Sequence, residues 1–300
     1  MTSPQFSIII PTYNRGYMIM PTLESLFSQS YKDFEIIVVD NCSTDNTEEV
    51  LKPLVEKGAI KFIKHDKNYE RAKSRNTGMD NAQGEFVTFL DSDDFLYDDC
   101  LKNAFDFSKL NSDKKIFHCL YELVNEGQKR IKGYHFPSEK NAKDKILLGN
   151  FLACIGVFLH RDIYSNIRFD TSPILTGSED HEFWIRVLGE FPNLGRVSQV
   201  FAGIQEHENR TMNQTDVERS LERKMYIHRK LISDPQLKLA YPNKGDLFKS
   251  YSFTFTASAL LDNRENVKAH RYLLKALKTY PKIALNNFFQ KVLILSLTKF

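Results

Sequence analysis

Within the first hundred residues, four strand-like runs alternate with three helical patterns, and few folds accommodate that order. "FSIIIP" reads as a strand, and Met18 to Gln29 as a helix turning Ile19, Leu23, Leu26 and Phe27 inward. "FEIIVVD" is a second strand. Asp45 to Glu56 follows as a helix, with Ser43 or Thr44 as its cap and Val50, Leu51, Leu54 and Val55 as its apolar face. "IKFIK" gives a short third strand, Arg71 to Ala82 a third helix, and "EFVTFL" a fourth strand. Strands separated by helices imply a parallel sheet covered on both faces. Ligands of such sheets bind beyond the carboxyl ends of the strands. Those ends here carry Thr12 and Asn14, then Asp40, then Asp91 and Asp93.

The run "VTFLDSDDFLYDDC" poses a chemical problem. A strand fit for burial stops abruptly in Asp91, Asp93 and Asp94, and clustered carboxylates are costly to bury without a counter-charge. Mg²⁺ or Mn²⁺ commonly takes one or two carboxylates and completes its shell with water and phosphate oxygens, which a short D-x-D supplies. The calcium-loop pattern does not fit, because Phe95 and Leu96 stand where an oxygen ligand and a glycine belong. A phosphatase D-x-D-x-T would need its motif on the first strand and Thr in place of Phe95. Acids that merely end a strand or begin a helix over Tyr97 to Leu110 remain an equal reading of these residues alone.

Beyond this stretch the pattern is mixed. "KKIFHCLYELV" and "KRIKGYHF" read as a hairpin, followed by a short helix near Ala142 to Leu148 and a strand "CIGVFLH". In "GSEDHEFWIRVLGEF", Glu179 and Asp180 open an amphipathic helix with Phe183, Trp184, Val187 and Leu188 on its apolar side. From about Thr215 the pattern is helical. Tyr272, Leu273, Ala276, Leu277 and Tyr280 form one apolar stripe, and Leu285, Phe288, Phe289, Val292 and Leu293 another. "AHRYLLKALKTYP" is similar to half of a tetratricopeptide unit, without a second copy.

Composition narrows the partners. The 300 residues are 42% hydrophobic and 26% charged, ordinary globular material. Four well-separated cysteines fit free thiols in a reducing compartment. The net charge of +3 conceals seven cations and no acid after Asn266, which leaves −4 over the first 265 residues. The body is mildly acidic, and no nucleic-acid partner is expected. The basic tail suggests peripheral contact with an anionic membrane face, with packing of its apolar stripes on the domain or on a second subunit, as in a homodimer, as the favoured alternative. "MTSPQFSIII" has no signal-peptide pattern, so a cytoplasmic protein is expected. The G-x-G-x-x-G and G-x-x-x-x-G-K-[ST] patterns are absent, which weakens dinucleotide and P-loop readings.

Taken in order, "SIIIPTYNR", "FEIIVVDNCSTDNT" and "SRNTGMDNAQGEFVTFLDSDD" resemble the family 2 glycosyltransferases, densely from about Ser7 to Leu96 and sparsely to about His207. The resemblance implies an α/β GT-A-type fold: a mostly parallel central sheet flanked by helices, plus a helical C-terminal appendage. Residues 1–214 would be the transferase domain, with a nucleotide-binding half to about 110 and an acceptor-side half after it; 215–300 would be the extension. It implies a nucleotide-sugar donor, in the first instance UDP-linked, held by Pro11, Thr12, Tyr13, Asp40, Arg75, Asp91 and Ser92. Asp93 and His207, in "QEHENRT", would ligate Mn²⁺ or Mg²⁺. "GSEDHEFW" resembles the family's E-D motif, which makes Asp180 the catalytic base, with Glu179 and Trp184 on the acceptor side. The acceptor would be a saccharide or lipid-linked saccharide in surface polysaccharide synthesis.

The chemistry suits these residue types independently of the resemblance. Glycosyl transfer needs a stabilised diphosphate leaving group and a deprotonated acceptor hydroxyl, two tasks for two separated carboxylate sites. Plainer roles are available to each residue: Asp40 as a cap for the Asp45 helix region, Arg75 as a solvated helix charge, and Asp180 and Glu179 as first-turn acids favoured by the helix dipole. A sugar nucleotidyltransferase would carry a Gly-rich loop after the first strand, where "PTYNRGYM" has one glycine. A catalytically silent sugar-nucleotide-binding module would have no need of both Asp93 and Asp180.

Overall fold

The computed structural model describes residues 3–125, 127, 129–134, 139–206 and 216–298. The chain divides into two compact units, residues 1–210 and 211–300. The first begins β1 (Phe6–Thr12), α1 (Ile19–Phe27), β2 (Phe34–Asp40), α2 (Thr47–Glu56), β3 (Lys61–Lys64), α3 (Glu70–Asn81) and β4 (Phe86–Phe89). It continues through β5 (Phe95–Leu96), α4 (Cys100–Leu110), β6 (Ile116–Val124), β7 (Arg130–Gly133) and α5 (Ala142–Lys145). Then come β8 (Val157–His160), α6 (Arg161–Tyr164), α7 (Glu179–Glu190) and β9 (Leu194–Gln205).

Among the described residues the strands form one sheet, ordered β3-β2-β1-β4-β8-β6-β9-β5, with β7 paired to β6. The four strands from β3 to β4 are parallel, as the alternation requires. On the other side β8 runs antiparallel to β4 and β6, while β9 lies parallel to β6 and antiparallel to β5. Register aligns the strand ends: Thr12 lies opposite Asp40, Asp40 opposite Lys64, and Ile9 opposite Phe89. The polar termini of β1, β2 and β4 therefore meet along one edge.

Both faces of the parallel half are covered. Ile8, Ile10, Ile36 and Val38 join Ile19, Leu23, Leu26 and Leu51 in one buried cluster. Burying each such side chain contributes about 1.5–3 kcal/mol. Ile9 points to the opposite face, where α3 presses close. A Cβ on Gly78 would sit 2.3 Å from the Ile9 side chain, so glycine is required for this approach. The close contact holds α3, and the arginines on it, against the sheet.

Three expectations change. Neither Ser43 nor Thr44 caps α2, which starts at Thr47 with Asp45 Oδ1 accepting from the Thr47 amide at 3.0 Å. Ser43 is engaged by Asp40 instead. The helix expected from Tyr97 begins at Cys100, because Phe95 and Leu96 pair with Gly203 and Ala202 of β9. Sequence reasoning assigned no strand to 194–205. β9 is exposed in the middle of its length and pairs with partners far away in sequence, so it shows no alternating pattern.

The second unit contains α8 (Val217–Ser233), α9 (Pro235–Ala240), α10 (Gly245–Asp262), α11 (Asn266–Thr279) and α12 (Asn287–Thr298). Its core collects Ala257, Leu260, Leu261, Ala269, Leu273, Ala276, Ile283, Phe289 and Val292. The two apolar stripes thus pack inside this unit, except Leu285, which is 79% exposed. α10 runs through the middle and buries Ser250, Ser252, Thr254 and Thr256. Each hydroxyl donates to a backbone carbonyl, of Ala276, Phe248, Ser250 and Ser252 respectively, which removes the cost of burying it. No helix among the described residues is long and apolar enough to cross a membrane.

Candidate active site

The loops after β1 and β2 are laced together. Asp40 is fully buried, and both of its carboxylate oxygens accept from Ser43. Ser43 Oγ in turn accepts from the Asn14 amide at 2.8 Å, and Asn14 Oδ1 accepts from the Thr44 amide at 2.8 Å. Asn14 holds φ at 52°, a left-handed conformation that Asn tolerates and that this lacing fixes. Asp40 therefore shapes the loop. Pro11 and Thr12 are buried beside it, Thr12 Oγ1 has no hydrogen-bond partner, and Tyr13 is 43% exposed.

The acids after β4 divide their work. Asp91 bonds Arg75 at 2.9 Å, and Asp93 faces Arg15 across 3.4 Å. Ser92 is buried between them. Asp94 is buried, and its carboxylate accepts from the Gln205 amide at 3.1 Å, fastening this turn to β9. Asp91 is the more constrained of the pair. Burial opposes its charge, but Arg75 and then Arg71 outweigh that and hold its carboxyl below the ordinary range.

Arg75 is the hinge of the arrangement. It is 2% exposed, projects from α3, and spans two carboxylates: Nη2 to Asp91 and Nη1 to Glu179, each at 2.9 Å. Its guanidinium lies 5.5 Å over the Phe169 ring. Asn76, next on α3, clasps the Phe169 backbone in both directions, at 2.9 and 2.8 Å, which sets the segment leading to α7. Arg71, one turn before Arg75, approaches Glu179 at 3.6 Å. Glu179 is thus a buried counter-ion, whose second oxygen accepts from the Gly177 amide at 2.8 Å. Burial would raise its pKa, yet Arg71 and Arg75 depress it.

Asp180, the next residue, is in the opposite electrostatic situation. It is half-buried and accepts from Asn150 Nδ2 at 2.9 Å and from the His181 amide at 2.7 Å. Burial, reinforced by the adjacent Glu179 charge, pushes its carboxyl up to about 6. The two adjacent carboxylates are thus driven apart: Glu179 is held ionised by its arginines, and Asp180 is left to titrate near neutrality. The Cys154 thiol shares this neighbourhood, and burial keeps it protonated.

Some expected placements differ. Trp184 is fully buried, edge-on to Phe183, on the core side of α7, so it does not line an acceptor surface. Glu179 faces Arg75 and Arg71 instead of an open cleft. His207 lies outside the described residues. Arg15, Arg71, Asn76 and Asn150 were missed. Arg71 stands out as the i−4 neighbour of Arg75 on one helix face, and Arg15 and Asn76 lie inside "PTYNR" and "SRN", whereas Asn150 carries no signal. At the opposite end of the strands a cleft is bordered by Asp80, Gln83, Arg161 and Arg168. Both of its guanidiniums are already hydrogen-bonded, to Asp80 and to backbone carbonyls.

The buried network has a mechanical consequence. Arg75→Met would leave Asp91 and the 4%-exposed Glu179 without their shared partner. Removing one side of a buried ion pair costs about 3–5 kcal/mol. Urea denaturation of the first unit's transition should report a loss near the lower figure, since Arg71 stays beside Glu179. A loss under about 1 kcal/mol would mean the network is solvated.

Comparison with known proteins points the same way. The sequence profile described as glycosyl transferase family 2 matches residues 7–164. A glycosyltransferase of Rickettsia felis is 38% identical over 130 residues, 43% of this chain and 21% of that relative, so the chain spans about a fifth of its length. An Escherichia coli relative, UDP-Glc:alpha-D-GlcNAc-diphosphoundecaprenol beta-1,3-glucosyltransferase WfaP, is 32% identical, covering 61% of this chain and 70% of its own. Mannosyltransferase PcManGT from Pyrobaculum calidifontis, solved with GDP-Man and Mn²⁺, superposes with a TM-score of 0.63 at 18% identity. That superposition covers 99% of this chain and 87% of the mannosyltransferase, a likeness of fold.

Proposed function

The chain belongs to glycosyl transferase family 2 and has its GT-A architecture, and from that premise we propose an inverting, cation-assisted sugar transfer. The donor is a nucleoside-diphosphate sugar, UDP-linked by analogy with the Escherichia coli relative, and the acceptor a saccharide or lipid-linked saccharide. The observation that carries this reading is the salt-bridged run Asp91–Arg75–Glu179, which joins the acids after β4 to Asp180 at the start of α7.

In this reading the β1, β2 and β4 ends receive the nucleotide. Thr12, with its unpartnered hydroxyl, and the loop shaped by Asp40 border the nucleoside; Asp91, oriented by Arg75, meets the ribose. Asp93 would hold Mn²⁺ or Mg²⁺, with His207 as a further ligand. One partly buried carboxylate fits a cation that takes its other donors from diphosphate oxygens. Such a cation, when bound, stabilises the negative charge that develops on the leaving diphosphate.

Asp180 takes the proton of the acceptor hydroxyl. As that oxygen bonds to the anomeric carbon, the carbon–phosphate-oxygen bond breaks, and its electron pair leaves with the nucleoside diphosphate. Attack from the face opposite the leaving group inverts the anomeric centre. Asn150 orients the carboxylate through its 2.9 Å bond, leaving the other oxygen to the His181 amide until acceptor binds.

A panel of nucleotide sugars, screened by thermal shift with Mn²⁺, tests the proposal. Ligand at about 100 times its dissociation constant stabilises a native state by about 2.7 kcal/mol. One or a few nucleotide sugars should raise the unfolding temperature only when Mn²⁺ is present. Absence of any shift across uridine and guanosine donors would refute the reading.

A further inference from the structure

Arg15 occupies an unusual position for a cation. Its backbone is fixed: the amide donates to Thr47 Oγ1 at 3.1 Å, and the next amide, of Gly16, donates to Asp45 Oδ2 at 3.1 Å. A Cβ on Gly16 would meet Asn46 Oδ1 at 2.2 Å, so this loop lies tight against the start of α2. The side chain is held by longer contacts, with Nη1 3.8 Å from Met18 Sδ among them. It is 23% exposed, touches Tyr17 Oη at 3.2 Å, and sets Nη2 3.4 Å from Asp93 Oδ2, longer than a direct charged hydrogen bond. The two carboxylates of the D-x-D thus each carry a guanidinium, but under different constraints. Arg75 is buried and bonded twice, whereas Arg15 is partly exposed and loosely held.

We infer that Arg15 is a diphosphate-binding residue which stands on Asp93 until the divalent cation arrives and then transfers to a phosphate oxygen. The inference rests on the reading of Asp93 as the cation's carboxylate. A divalent cation held at Asp93 would stand within a few ångströms of the guanidinium, and the repulsion between the two would favour moving Arg15 off the carboxylate. The same metal brings anionic phosphate oxygens within a few ångströms, and the guanidinium fork matches phosphate geometry. Because the loop backbone is pinned, a side-chain rotation is enough for the exchange. Arg15 accordingly opposes metal binding in the empty protein and favours nucleotide binding in the loaded one.

Those opposite signs make the test. Mn²⁺ affinity is measured without nucleotide, by electron paramagnetic resonance of the free ion. UDP and GDP affinities are measured calorimetrically at saturating Mn²⁺. Removing a loosely held competitor, Arg15→Ala should bind Mn²⁺ alone about 2- to 5-fold more tightly than wild type. It should bind the preferred nucleotide about 10- to 100-fold more weakly, having lost a charge-assisted contact. Arg15→Lys, which keeps the charge without the fork, should fall between the two in both measurements. An unchanged unfolding temperature for both variants confirms that the fold is intact. If Arg15→Ala leaves either affinity at the wild-type value, or weakens Mn²⁺ binding together with nucleotide binding, the inference fails. A wild type that binds neither UDP nor GDP with Mn²⁺ instead removes the functional reading itself.

Discussion

Asp180→Asn is expected to lower sugar transfer by about 10²–10⁴-fold while nucleotide and Mn²⁺ affinities stay near wild type. Asn keeps the size of the side chain and, with its single amide oxygen, one of the two bonds that Asp180 accepts from Asn150 and the His181 amide, but it cannot take a proton. In the wild type, the rate should climb as pH rises through about 6, where this carboxyl ionises, and then level off. The acid limb should vanish from the residual activity of the Asn variant. Stability should move the other way. Between pH 3.8 and about 6 the folded protein holds this proton more tightly than the unfolded chain does, so the group's stabilising contribution declines as pH rises through that window. Asn has no charge to bury, and at pH 8 the variant should resist urea at least as well as wild type. Near-normal turnover would remove Asp180 from the chemistry. Lost nucleotide binding would place it on the donor side.

Asp93→Ala is expected to abolish most metal-dependent nucleotide affinity and to spare the fold. Even partners one step removed from a metal typically govern 10–100-fold of its affinity, so losing the only protein carboxylate assigned to the cation should cost about 100-fold or more. The stability change should be small, since Asp93 and Arg15 are both partly exposed and 3.4 Å apart, and such pairs contribute about 0–1 kcal/mol. Titration of UDP with and without Mn²⁺ gives the answer. Metal-dependent binding that survives in the variant would locate the cation elsewhere.

The contrast between these residues and their neighbours explains what could be read from the chain beforehand. Strands β1, β2 and β4 are continuous apolar runs that a doubly covered sheet demands, and their polar ends announce where ligand chemistry belongs. Asp91, Arg75 and Asp180 were all legible as candidates. Their connections were not. Glu179 pairs with an arginine 104 positions earlier, and nothing in the local pattern of α7 distinguishes a buried counter-ion from a first-turn acid facing solvent. Asp40 reads as a ligand-binding carboxylate, yet it spends both oxygens on Ser43. Trp184 shares the helix with Asp180, and only packing reveals that its ring points into the core. β9 escaped because a strand whose middle is exposed and whose partners are remote carries no period of its own.

The shared guanidinium of Arg75 also constrains how such a chain can diverge. Positions 91 and 179 answer to one side chain, so a substitution at either alters the setting in which the other is judged. The start of α7 therefore cannot be rewritten freely without disturbing Asp91, the residue proposed to meet the donor. Novelty is channelled toward segments outside this linked set.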